Sequence, residues 1–353
     1  MRAVIDLDTP AVTVDLNIMQ ENIRRVHEYF SRHQIAIRPH IKTHKIPAIA
    51  RLQMEAGAVG ITCQKLGEAE VFATAGIAED ILLTYNILGR QKTERLAALA
   101  KRLRRLTVVL DNEVVAREVS EACVRHGVDM GFLAECDTGS GRNGVQTPEA
   151  ALDLARFAMK LPRLDFQGIM TFPIREPDSR LFFERTLELF KRAGIPVPIV
   201  SGGFTPMIFK AQDFPMLTEY RPGTYIFNDV RVVTSGTATW DNCALRVRTT
   251  VVSRPTPARA ILDAGSKVLT SDHPSIKGYG HIVEYPDADI TTLWEEHAVV
   301  DLSSCRERPQ IGEVVNVISN HCCVVTNMVD EIYGVRGGGV EVVWPVLARG
   351  KVQ

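Results

Sequence analysis

Two short stretches of this chain hold the residue types from which chemistry is made. The first is Arg38-Pro39-His40-Ile41-Lys42-Thr43-His44-Lys45, which gathers imidazoles and amines at the end of an apolar run. An ammonium that closes a buried strand is costly unless it is paired or gives up its charge. Lys42 is therefore expected at the end of a strand, as an amine nucleophile; for a lone lysine the ordinary alternative is a solvated loop. The second stretch is Ser319-Asn320-His321-Cys322-Cys323-Val324-Val325-Thr326-Asn327. On an extended chain alternate side chains face the same way, so His321 and Cys323 are expected to point together and Cys322 elsewhere. Imidazole with thiolate suits zinc over magnesium or calcium, and two protein ligands leave positions open for water or substrate. The same spacing also describes a buried cysteine pair beside a core histidine, and spacing alone leans to that reading over a metal.

The elements that must position these residues read as an α/β pattern. Short β-branched runs at 35–42, 58–63, 80–85, 106–110, 129–135, 166–171, 197–202 and 217–220 alternate with helical patterns at 65–75, 91–104, 113–126, 148–161 and 179–193. Eight strands alternating with helices predict a closed (β/α)8 TIM-type barrel over 12–230, with an open doubly wound sheet as the alternative that periodicity does not distinguish. After residue 231 the helical patterns stop. Alternating runs at 232–233, 245–252, 259–263, 281–283, 298–302, 314–318, 331–335 and 341–346 predict a β-rich domain over 231–353, joined by an extended N-terminal segment, 1–11.

In parallel barrels the working residues sit at the C-terminal ends of strands and in the loops that follow. That places Lys42 after the first strand and Gln64 after the second. The loop 137–144, containing Arg142, follows the fifth. The loops Ser201-Gly202-Gly203-Phe204-Thr205-Pro206 and Arg221-Pro222-Gly223-Thr224-Tyr225 follow the seventh and eighth. Backbone N–H groups and the hydroxyls of Thr205 and Thr224 in such late loops suit a phosphate dianion. Each loop alone is also ordinary turn chemistry. Together with a strand-one lysine they point to a phosphate-bearing cofactor held as a Schiff base. Arg142 is suited to donate to a phenolate-like oxygen of that cofactor, or equally to stand in solvent.

The 353 residues carry 41 Lys+Arg against 42 Asp+Glu, with 45% hydrophobic and 24% charged residues. This balance leaves no electrostatic footprint for nucleic acid or for an anionic membrane surface. No apolar run reaches the length of a membrane span, and the start Met1-Arg2-Ala3-Val4-Ile5-Asp6 lacks a secretory apolar core, so a cytoplasmic location is expected. Seven scattered cysteines, an odd number, read as reduced residues rather than a disulfide framework.

The order of these motifs, with Gly60-Ile61-Thr62-Cys63-Gln64-Lys65, Glu68, Asp137-Thr138-Gly139, Asp263-Ala264-Gly265-Ser266-Lys267 and Glu295-Glu296-His297, resembles the D-threonine aldolase and eukaryotic-type D-serine dehydratase family over nearly the whole chain. That family is related to the alanine racemases among fold-type III pyridoxal phosphate enzymes. The resemblance implies a cofactor-holding barrel, a metal-bearing β-domain and a homodimer acting on a small D-amino acid. Carried over by motif, Lys42 takes the place of the Schiff-base lysine. Gln64 and Arg142 take the places of cofactor-ring neighbours, and Thr205, Gly223 and Thr224 those of the phosphate binders. Tyr225 is a further cofactor contact, and His321 with Cys323 is the metal pair, zinc ahead of manganese. Where many relatives carry a tyrosine near the end of strand six, this chain reads Met170-Thr171-Phe172, so no tyrosine hydroxyl is expected there. Aldolases of the family tend to carry His-x-Asp at the metal and dehydratases His-x-Cys; this chain has His-x-Cys.

The implied reaction is cleavage of a D-β-hydroxy-α-amino acid, leaning to β-elimination of the D-serine or D-threo-3-hydroxyaspartate dehydratase type, with keto acid and ammonia as products. Retro-aldol cleavage to glycine and an aldehyde is the alternative. A metal-free racemase and a cofactor-carrying binding protein rank behind both.

Overall fold

The computed structural model describes residues 2–272 and 276–353, so Met1 and 273–275 of the expected β-rich domain lie outside the described residues. Its residues fall into two compact units. One comprises Val26–Lys42, Pro47–Gly223 and Gly350–Gln353; the other takes in the chain up to Arg25 together with Thr43–Ile46 and Thr224–Arg349.

The first unit is built on eight parallel strands: Ala36–Ile37, Ile61–Cys63, Asp80–Leu83, Arg105–Leu110, Met130–Cys136, Leu164–Thr171, Ile199–Gly202 and Glu219–Tyr220. Each overlaps a run expected to be a strand, with Arg105, Cys136 and Leu164–Asp165 lying just outside those runs, and each pairs in parallel with its neighbours in the sheet. The ring closes where Val59 N–H donates to Ile37 O (3.0 Å) and Thr62 N–H to Pro39 O (2.8 Å). The architecture is therefore the (β/α)8 barrel. Helices Leu66–Thr74, Arg90–Ala100, Glu113–His126, Pro148–Ala158 and Asp178–Arg192 stand between strands. Their starts follow local chemistry: Asn112 and Thr147 accept from Val115 N–H and Ala150 N–H, satisfying helix-terminal donors.

The strand expected at 35–42 stops short. Only Ala36–Ile37 is extended in the ladder, and Lys42 sits in a single 3-10 turn, Ile41–Thr43. His40 N–H still bonds Pro222 O at 2.8 Å, in series with Arg38 N–H to Tyr220 O at 3.0 Å, but Pro222 has no N–H to return a bond, and the ladder ends at Ile37, five residues short of 42. Lys42 thus follows the strand rather than closing it.

Leu82, Val109, Leu133 and Met170 pack together in the barrel interior. Side chains two residues away on a strand share that face, so Asp80 and Glu135 point inward too. Below the apolar layer Arg38 is held by Glu219 (2.7 Å) and Asp80 (2.9 Å), all three at most 5% exposed, and Arg105 reaches Asp80 from the rim (2.8 Å). Three buried charges are tolerable there because each is paired and hydrogen-bonded.

The second unit is a nine-stranded sheet in which Ala11–Asp15 lies between Leu245–Thr256, antiparallel, and Glu331–Arg336, parallel. The N-terminal strand of this sheet is thus Ala11–Asp15, beyond the expected segment 1–11 except for Ala11, and the stretch 12–25, expected in the barrel, belongs to this unit. Residues 232–233, expected as strand, are helical: Asp229 caps Val230–Thr234 by accepting from Val232 N–H at 3.1 Å. Asp289–Leu293 is a strand the sequence reading missed. Among the described residues no helix is long and apolar enough to cross a membrane.

Candidate functional site

At the C-terminal end of the barrel strands a cavity is lined by His40, Lys42, Gln64, Thr84, Arg142, Met170, Phe172 and Arg221. Lys42, Gln64 and Arg142, expected to work together, are brought together here. Gln64 is fixed by Nε2 donating to Thr84 O (2.8 Å), and its Oε1 accepts from Lys42 Nζ (3.5 Å) and faces His40 Nε2 (3.1 Å). Oε1 is an acceptor, so His40 carries its proton on Nε2. Burial, with Lys42 and Arg221 nearby, holds His40 well below the usual imidazole range and therefore neutral. Its Nδ1 is a buried acceptor with no hydrogen-bond partner among the described residues.

Phe172, which follows strand six, offers the cavity a ring face and no hydroxyl. The Lys42 ammonium lies 5.6 Å and the Arg142 guanidinium 5.0 Å from its centroid. The neighbouring hydroxyl, Thr171 Oγ1, donates to Cys136 O at 2.9 Å. Arg221 was quoted in a motif but given no role by the sequence reading. It is fully buried, donates to Thr171 O (2.7 Å) and pairs with Ser201 Oγ, which in turn donates to Glu219 (2.6 Å). Burial lowers Arg221 to about 10, with Glu219 and Glu135 opposing.

Thr205 opens the 3-10 segment Thr205–Asp213 after the seventh strand. Its Oγ1 is buried with no partner among the described residues, an unmet need that an anionic oxygen would satisfy. Gly223 ends the barrel unit. Thr224 and Tyr225 follow it in a 3-10 turn, Thr224–Ile226, that belongs with the β-rich unit; Tyr225 is buried. A lysine amine, a neutral histidine with a bare acceptor nitrogen and an orphaned threonine hydroxyl are a donor set that fits pyridoxal phosphate.

In the β-rich unit His321 and Cys323 do meet, but not on a strand. His321 precedes the helix Cys322–Met328 as its N-terminal flanking residue, and Cys323 sits in the first turn. The helix begins there because Asp229 Oδ2 takes Cys322 N–H (3.1 Å) and the Thr326 hydroxyl donates to Thr43 O (2.6 Å). The Cys323 thiol is held well below the usual range by hydrogen bonds from Cys322, His321 and Thr43 that outweigh burial. His321 rises to about 9: burial pulls it down, but Cys323 and Asp272, whose Oδ2 is 2.6 Å from Nδ1, win. The pair is thus an imidazolium beside a thiolate, and a soft divalent cation replaces the proton on such a pair. Among the described residues no group of three or more His, Cys, Asp or Glu side chains is placed to hold a metal ion. The sequence reading missed Asp272 and Asp229 at this place.

Residues 14–230 match the family model for the alanine racemase N-terminal domain, and 244–335 that for the serine dehydratase domain. The chain is 34% identical to the D-threonine aldolase of Arthrobacter sp, over 98% of this chain and 93% of that protein. It is 28% identical to the D-threo-3-hydroxyaspartate dehydratase of Delftia sp. (strain HT23), over 91% of this chain and 92% of that one. The structure is similar to that of the D-threonine aldolase from Filomicrobium marinum, at a TM-score of 0.89 with 32% identity and full coverage of both chains. It is similar to the Delftia dehydratase at 0.88 with 26% identity, covering 98% and 99%. That dehydratase has also been solved as a Cys-to-Ala mutant in the metal-free form and as a His-to-Ala mutant. The two substituted positions are two residues apart, histidine first, the order and spacing of His321 and Cys323.

Proposed function

The chain belongs to the family of D-threonine aldolases and D-serine dehydratases, and from that premise we propose that it is a pyridoxal phosphate- and metal-dependent lyase acting on D-β-hydroxy-α-amino acids by β-elimination. The observation that carries the elimination is the metal pair: His-x-Cys, with a thiolate ligand, in the arrangement of a solved dehydratase. The retro-aldol reading, which yields glycine and an aldehyde, is favoured by the higher identity to a D-threonine aldolase.

When bound, the cofactor supplies an electron sink that weakens the bonds at the substrate α-carbon. Everything else falls to the chain. Thr205, Gly223 and Thr224 hold the phosphate. Lys42 Nζ is the amine that anchors the cofactor and then the base that takes the α-proton. Gln64 holds Lys42 and His40 in register through one oxygen. Neutral His40 adds no further positive charge beside Lys42. Arg142 would donate to the cofactor's phenolic oxygen, and Tyr225 would be a further contact. His321 and Cys323 would hold the metal, zinc ahead of manganese, which would supply a Lewis acid for the substrate's β-hydroxyl. A cytoplasmic homodimer completes this reading, in keeping with seven cysteines free of disulfides.

Incubation with D-serine, D-threonine and D-threo-3-hydroxyaspartate, with keto acid and glycine measured in parallel, tests it. Keto acid with ammonia is expected. Glycine with an aldehyde would move the assignment to the aldol reading, and no product from any of the three would refute both.

A further inference from the structure

Glu135 is the penultimate residue of Met130–Cys136 and is 1% exposed at its side chain. It points into the barrel on the same strand face as Leu133, yet its carboxylate serves a loop. Oε2 accepts from Asn143 Nδ2 at 2.6 Å, and Oε1 lies 3.6 Å from Arg142 Nη2. The loop has its own ties: Asp137 Oδ1 takes Ser140 N–H (2.6 Å) and Gly144 N–H reaches Asp111 Oδ2 (3.0 Å). None of these ties touches the arginine. Gly139, Gly141 and Gly144 all have positive φ, so the segment around Arg142 is built from residues with wide backbone freedom.

Arg142 itself is 46% exposed, and a side chain so placed has many rotamers open to it. Among the described residues two contacts limit them: the Phe172 ring and the Glu135 carboxylate. The cavity also holds the cations Lys42 and Arg221. Glu219 is engaged by Arg38 and by Ser201, to which Arg221 also donates, and Glu135 is the acid that faces Arg142. Burial pushes the Glu135 carboxyl up to about 7, with Arg142 and Arg221 pulling the other way and Asp111 adding to the rise.

From this geometry we infer that Glu135 is a positioning residue: its buried carboxylate fixes the Arg142 guanidinium over the cavity, where it meets an anionic oxygen of the cofactor. The inference rests on the pyridoxal phosphate reading of the cavity and deepens it. The test is a double-mutant cycle in full-length protein at pH 8, with Glu135→Gln and Arg142→Ala singly and together. The readouts are pyridoxal phosphate affinity of the cofactor-stripped protein and the visible band of the loaded one. Glu135→Gln keeps an acceptor for Asn143 and removes only the charge. It is expected to weaken affinity about tenfold and shift the band when Arg142 is present, and to change both less than about twofold when Arg142 is alanine. Equal losses in both backgrounds, or no loss in either, would overturn the inference. Should Glu135→Gln fail to fold, Glu135→Asp, which keeps the charge one methylene short, is read in the same two backgrounds with the same criteria. Wild-type protein that takes up no cofactor would instead overturn the reading of the cavity, and the inference with it.

Discussion

Gly203 lies directly against the ring of Tyr220: a β-carbon at Gly203 would stand 2.3 Å from the ring's Cζ, and the backbone there has φ +99°. Tyr220 is fully buried and its hydroxyl donates to Phe204 O at 2.9 Å, so the ring has no room to retreat. This contact shapes the loop that carries Thr205. Gly203→Ala is therefore expected to cost about 2–4 kcal/mol in urea unfolding, from strain and overpacking together. Cofactor affinity should fall as well, because Thr205 moves with the loop. A substitution that changes neither would show that the loop is shaped elsewhere.

Arg38 gives a second expectation. Its loss strands Asp80 and Glu219 inside the barrel. Arg38→Met should destabilise the protein by about 3–5 kcal/mol, the range for removing one partner of a buried pair. Chemical denaturation measures it. A triple variant with Met at 38, Asn at 80 and Gln at 219 should recover part of the loss, since the uncompensated charges are then gone.

Histidine 27 predicts a pH effect. Burial lowers its pKa from 6.5 to about 4, against a hydrogen bond to Ala56 O. The folded value lies below the unfolded one, so protonation favours the unfolded chain. The contribution is complete above about pH 6.5 and is lost as pH falls through about 4; the shift corresponds to about 3 kcal/mol. His27→Gln should flatten the stability profile between those values. An unchanged slope would mean that the ring is not kept neutral.

For the metal pair, His321→Ala and Cys323→Ala should each lower bound zinc, measured by elemental analysis, and reduce turnover at least about a hundredfold. Full zinc occupancy in both variants would place the metal on other residues.

Much of this was legible in the sequence. Each of the eight barrel strands overlaps a run expected to be extended, and Lys42, Gln64 and Arg142 were picked from strand ends and line one cavity. What was missed lies where a distant residue overrides the local pattern. Pro222 has no N–H to return a bond to the first strand, whose ladder ends at Ile37; Asp229 caps one helix and anchors the start of another, turning 232–233 and 322–323 away from the extended form. Asp229 before an apolar run is a helix-cap signal that was there to be read. The inward-facing Asp80, Glu135 and Glu219 were visible as acids within apolar strands. Their partners, Arg38 and Arg142, are set by barrel closure and loop folding, which a one-dimensional pattern does not contain.

The central claim, that Lys42 holds pyridoxal phosphate in the barrel cavity, is tested most directly by one visible absorption spectrum of protein purified with the cofactor, beside that of Lys42→Ala. A band in the usual pyridoxal–lysine region, absent from a folded Lys42→Ala variant, is the predicted result. A colourless wild-type protein, or a band that survives the substitution unchanged, would contradict it.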